Sequence, residues 1–109
     1  MISQVAAAIA RLRARLGGGA TADEIIPEIR TTEGELLGPR GALLRSVDAK
    51  TAAQLLGTPD AVRLWVDLLR LEAEVLNASG ALAKAEAIAA RATALEREIA
   101  SVAQPRARA

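Results

Sequence analysis

Residues 58–80 read TPDAVRLWVDLLRLEAEVLNASG, and this stretch decides the fold class. Thr58 is a capping residue type, Pro59 suits the first helical position, and Asp60 falls in the electropositive first turn. From there Arg63, Asp67, Arg70, Glu74 and Asn77 recur at alternating spacings of four and three. That spacing lines them up as one narrow polar stripe, with opposite charges placed for pairing. Nearly everything else is apolar, Trp65 and a set of leucines and valines above all. A helix that is apolar over most of its circumference is covered on more than one side. The stretch therefore predicts a central helix over about 59–78, with Ser79 and Gly80 turning the chain back.

On the far side of that turn, Ala81, Ala85, Ile88, Ala92, Leu95, Ile99 and Val102 alternate by four and three. This is a heptad seam and predicts a last helix over 81–103. Its first half is alanine, which lets a neighbour come close, and its second half is bulky. After Pro105 the expectation is a flexible, basic tail over 105–109.

Working back towards the N-terminus, Ile2, Val5, Ile9, Leu12 and Leu16 form one helical face, with Ser3 as a candidate cap and Gly17-Gly18-Gly19 as the stop. A second helix is predicted from about Thr21, buried through Ile25, Ile26, Ile29, Leu36 and Leu37 and ended by Gly38-Pro39. Leu43, Leu44 and Val47 need cover but lie in a stretch too short for a substantial helix. Asp48 then caps a compact helix over 49–56, closed by Gly57. No run of β-branched residues suggests a strand. The prediction is an all-α bundle of four main helices plus a short one, a single domain over residues 1–104.

Composition excludes several chemistries. The 109 residues include 26 alanines and one tryptophan, and no cysteine, histidine, phenylalanine or tyrosine. Disulfides, zinc fingers and thiol nucleophiles are out, and so is a histidine-based catalytic triad. Stacking on nucleic-acid bases would rest on Trp65 alone. Fourteen basic residues face thirteen acidic ones, without a basic arm or an acidic tail in either half. No uncharged apolar run is long enough to span a membrane. Arg11, Arg13 and Arg15 follow the first apolar stretch instead of preceding it, so they read as cations in the last turns of a helix, where its dipole favours them. The expected location is cytoplasmic.

Two resemblances add to this reading. Residues 66–95 resemble a single tetratricopeptide-type helical hairpin, through Ala73, Gly80, Leu82, Ala85, Ala92 and Leu95; the hairpin so implied spans 58–103. Glu72 stands where that family usually has a large apolar residue. Aligning Gly17 on Gly80 superimposes Ala10 on Ala73 and Ala22 on Ala85, which hints at an earlier copy. The order Glu35-Leu36-Leu37-Gly38, Leu43 to Asp48, Ala53 to Gly57, then Pro59-Asp60 and the hairpin is similar to a family of uncharacterised bacterial helical proteins, a domain of unknown function. That likeness implies the fold and the order of its elements, and it carries no site residues.

Three functions compete. Residues 49–70 can be read as a DNA-binding helix-turn-helix, with Gly57 in the turn, but Asp60 and Asp67 would face the phosphates and repel them. An enzyme would have to work through Glu72, a carboxylate on an otherwise apolar face. An ion pair with Arg45, Lys50 or Lys84 accounts for that carboxylate without catalysis. The third reading is a non-catalytic module for protein–protein interaction or self-assembly, with a protein partner or a homodimer. It needs no cofactor and no metal, and its expected surface is Glu72, Leu95, Ile99 and Val102. A seam buried within the monomer, against the first helix, is the competing account of those last three.

Overall fold

Trp65, Leu68, Leu71 and Val75 lie on successive turns of one helix and are all fully buried, so the element around them is the centre of the molecule. In the computed structural model, which describes residues 2–103 along the backbone and 2–100 with side chains, that element is flanked by helices alone. The order is α1 (Ile2–Gly17), α2 (Ala22–Leu37), a 3-10 turn (Gly38–Arg40), α3 (Gly41–Ser46), α4 (Ala49–Leu56), α5 (Pro59–Ala78) and α6 (Leu82–Ala103). The fold is all-α among the described residues, with four long helices as the sequence predicts. Two short helices, where one was expected, join α2 to α5. Residues 105–109, the expected flexible tail, lie outside the described residues.

Local chemistry accounts for most of the boundaries. Asp48 accepts hydrogen bonds from the Thr51 amide at 3.2 Å and its hydroxyl at 2.6 Å, capping α4. Thr58 Oγ1 accepts from the Ala61 amide at 3.2 Å and caps α5, with Pro59 just inside. At the start of α2 the Glu24 carboxylate accepts from the Thr21 amide at 2.9 Å. Pro27, one turn further in, has an exposed ring and costs only one ladder hydrogen bond. The extra helix α3 arises because Pro39, which cannot continue α2, has a φ that suits a new helical turn. Its Leu44 is buried, whereas Leu43, expected to need cover, points outward. Ser3 is no cap either: α1 already includes Ile2.

α5 packs against α1, α2, α4 and α6, and its contact with α6 is the most extensive in the molecule. α1 and α2 pair with each other on one side of it, and α4 pairs with α6 on the other. Helix α1 and helix α6 make no substantial contact, so α5 forms the floor between them. The polar stripe of α5 remains at the surface, but its charges pair mostly off the stripe. Arg70 reaches Glu96 of α6, and Glu74 meets Arg13 of α1 at 3.2 Å.

Two turns share one hydrogen-bond pattern. After α5, the Ala81 amide donates to Leu76 O at 2.9 Å and the Gly80 amide to Asn77 O at 3.1 Å, with Gly80 at φ +90°. After α1, the Ala20 amide donates to Arg15 O and the Gly19 amide to Leu16 O, with Gly19 at φ +100°. The residue equivalent to Gly80 is therefore Gly19, not Gly17, and the internal alignment built on Gly17 slips by two residues. A Cβ at Gly80 would meet nothing within 4 Å, so a substitution there costs backbone strain alone. Gly80→Val is expected to lower stability by about 1–2 kcal/mol, read by thermal melting. An unchanged melting curve would contradict the left-handed turn.

Candidate functional site

The largest concentration of buried polar chemistry lies between α2, α5 and α6. Ile25, Ile29, Leu36 and Leu37 carry the buried face of α2, and Glu33 falls on that same face. Its carboxylate is buried, and both of its oxygens accept hydrogen bonds. Oε1 accepts from Arg45 Nε at 3.2 Å and Nη2 at 3.0 Å, and Oε2 accepts from the Trp65 indole N–H at 2.9 Å. The Arg91 guanidinium lies 5.4 Å from the Trp65 ring centre, a cation–π distance, and donates to Leu44 O at 2.8 Å. One cluster thus ties α2, α3, α5 and α6 together. Burial lowers the pKa of Arg91, an effect that Asp48 opposes.

Glu72 sits two turns along α5 from Trp65, with its side chain 8% exposed. Its one ion-pair contact is Arg30 Nη2 at 3.5 Å, and Arg30 is 67% exposed. The expected partners were Arg45, Lys50 and Lys84; Arg45 instead is drawn to Glu33, one turn of α2 beyond Arg30. Burial pushes the Glu72 carboxyl above the ordinary carboxylate range, Arg30 and Arg45 pull it back, and Glu33 pushes it further up. A raised acid binds its proton more tightly when folded, so this group favours the fold at low pH. That contribution fades as pH climbs from the ordinary carboxylate range through the raised value. Ionised Glu72 is therefore a burden at neutral pH. Glu72→Leu is expected to stabilise the protein by about 1–2 kcal/mol at pH 7. The gain shrinks as the pH is lowered through the carboxylate range, in parallel denaturation curves. A loss at pH 7 would contradict the account.

Leu95 and Ile99, two of the remaining candidates, are not at the surface. Leu95 is fully buried and Ile99 nearly so, both in the core that α6 shares with α4 and α5. The seam is covered within the monomer, but by α5 and α4, not by α1. The side chain of Val102 lies outside the described residues. Glu72, Leu95 and Ile99, expected as an interaction surface, are instead buried within the single chain.

The open surface is elsewhere. Between α1, α5 and α6 runs a groove of about 950 Å³. Ala73, Ala85 and Ala89 form its walls and floor, Arg13 and Arg70 contribute positive charge, and Glu74 and Glu86 negative charge. At its end Leu82 is 61% exposed, the most exposed large apolar side chain described. Small side chains leave this hollow because α1 and α6 stay apart while alanine keeps the α5–α6 contact close.

The helix-turn-helix segment gains nothing from this geometry. Val62, Trp65, Val66, Leu68 and Leu69 of α5 are buried, and α4 packs on α6 through buried Ala52 and Ala53. The polar side chains left near the start of α5, Asp60 and Arg63, face each other at 3.7 Å.

Sequence reasoning missed Glu33, Arg30 and Arg91. The signal for Glu33 was present: it fills the gap between Ile29 and Leu36 on a face that must be buried throughout. Among the described residues no helix is long and apolar enough to cross a membrane, and no three acidic side chains converge to hold a metal ion. The chain matches no protein-family model, no curated protein and no solved structure.

Proposed function

We propose that the chain is a non-catalytic helical module that works by self-assembly, two copies meeting through the groove between α1, α5 and α6. The observation that carries this reading is that the groove is complementary to itself. A two-fold contact brings one patch against its own copy, so the patch must hold both halves of each interaction. Here exposed Leu82 lies beside an alanine-lined hollow, and Arg13 and Arg70 share the rim with Glu74 and Glu86. A two-fold axis across the groove sets each Leu82 on the other copy's alanines and brings Glu86 towards the other copy's Arg13 and Arg70, whose partners in the single copy are Glu74 and Glu96. Alanine at the contact also lets helix axes approach to the near end of the usual 8–10 Å range.

The α5–α6 pair supports the tetratricopeptide-like reading of the hairpin, with Ala85 and Ala92 buried at the contact and Gly80 in the turn. The absence of histidine and cysteine supports a role without catalysis. Leu82→Asp tests the proposal. The side chain is exposed in the single copy, so helicity and monomer stability are expected to stay within about 0.5 kcal/mol of the parent. The associated mass is expected to fall to that of the monomer. An unchanged associated mass would overturn the groove as the contact. A parent chain that stays monomeric but binds a helix of another protein would replace the second copy with that partner.

A further inference from the structure

The hollow around Glu72 shares no lining residue with the groove and supports an inference independent of it. The hollow measures about 300 Å³, at the lower end of the range for small-molecule sites. Its polar groups are unequally used. Both oxygens of Glu33 are taken by Arg45 and Trp65. Arg91 donates one N–H to Leu44 O and keeps other donors. Glu72, more than nine-tenths buried, has only the 3.5 Å approach of a largely exposed arginine. A carboxylate can accept about four hydrogen bonds, and leaving a buried one short of donors is unfavourable.

The spacing of these groups defines what would fit. Trp65, under Arg91, and Glu72 are seven residues apart on α5, about 10 Å along the axis. Leu69 and Ile88 line the hollow between them. An acceptor for a cation thus stands at one end, donors for an anion at the other, and an apolar wall between. We infer that this hollow binds a small amphoteric molecule, its ammonium group on Glu72, its carboxylate on Arg91, and a short hydrocarbon chain along Leu69 and Ile88. Such a ligand carries no net charge, so it supplies the missing donors to Glu72 without adding an uncompensated buried charge. Arg30, itself largely exposed and held only by its 3.5 Å approach to Glu72, swings to solvent to admit it.

Trp65 is the sole aromatic residue and reports from the wall of the site. The test titrates the full chain with ε-aminocaproate, following Trp65 fluorescence and heat by calorimetry, with caproate and hexylamine as half-ligands. Saturable binding of ε-aminocaproate is expected, with each half-ligand weaker by about tenfold or more. Glu72→Gln is expected to weaken ε-aminocaproate by a similar factor while leaving caproate unaffected, and Arg91→Gln to do the converse with hexylamine as the unaffected ligand. No saturable signal up to about 10 mM, half-ligands that bind as well as the whole, or an unchanged Glu72→Gln titration would each overturn the inference. The half-ligand comparison is made on the unaltered chain, so it decides the matter even if a variant fails to fold.

Discussion

Trp65→Ala is expected to cost about 3–5 kcal/mol, the largest single effect in the domain. The side chain is fully buried at the centre of α5. A tryptophan buries about 200 Å² of surface, which at about 25 cal/mol per Å² contributes about 5 kcal/mol. Its removal also leaves a hole that four helices cannot easily close, because α5 is fixed against α1, α2, α4 and α6. Glu33 and Arg91 lose a partner at the same time. A small domain has a margin of about 5–15 kcal/mol, so melting is expected to fall by about 12 °C or more. A shift of a few degrees would contradict the central position of this helix. Trp65→Phe keeps an aromatic ring and most of the volume while losing the N–H, and is expected to cost less than Trp65→Ala.

Glu33→Ala is expected to cost about 2–3 kcal/mol. The greater part comes from the Trp65 indole N–H, left buried without an acceptor, at about 1–3 kcal/mol. Arg45 contributes less, because it is half exposed and can turn to water once its partner is gone. Glu33→Gln retains an acceptor for the indole and is expected to cost distinctly less than Glu33→Ala. Urea denaturation of the two variants compares them directly. Equal losses would mean that charge, not the indole hydrogen bond, holds this position. The contrast with Glu72 is instructive: two carboxylates face the same hollow, and the one with three donors supports the fold while the other burdens it.

The long helices were legible in the sequence because each has a strong period and a chemical stop. Thr58-Pro59-Asp60 and Asp48 mark starts that the hydrogen bonds at Ala61 and Thr51 realise, and Gly57 and Gly80 mark ends with positive φ. Helix α3 was not legible, because six residues give too little periodicity to separate a helix from a loop. The location of the open surface was hidden for a different reason. A heptad pattern says that Leu95 and Ile99 are covered but not by what: besides α5, the neighbour across the turn, the cover comes from α4, which lies further back in the chain. The groove exists because α1 and α6 fail to meet, a relation between elements 60 residues and more apart that no local pattern encodes. Glu72 was recognised as out of place on an apolar face. Its partner was misassigned because Arg30 and Arg45 line the same hollow as Glu33 and Glu72, and only packing decides which arginine serves which acid.

The proposed self-assembly through the α1/α5/α6 groove is read from the solution mass of the parent chain and of Leu82→Asp, measured by light scattering over a range of concentrations. The parent is expected to approach twice 11.3 kDa as concentration rises, and the variant to stay at the single-chain value. A parent that remains at 11.3 kDa throughout, or a variant that associates as well as the parent, would contradict it.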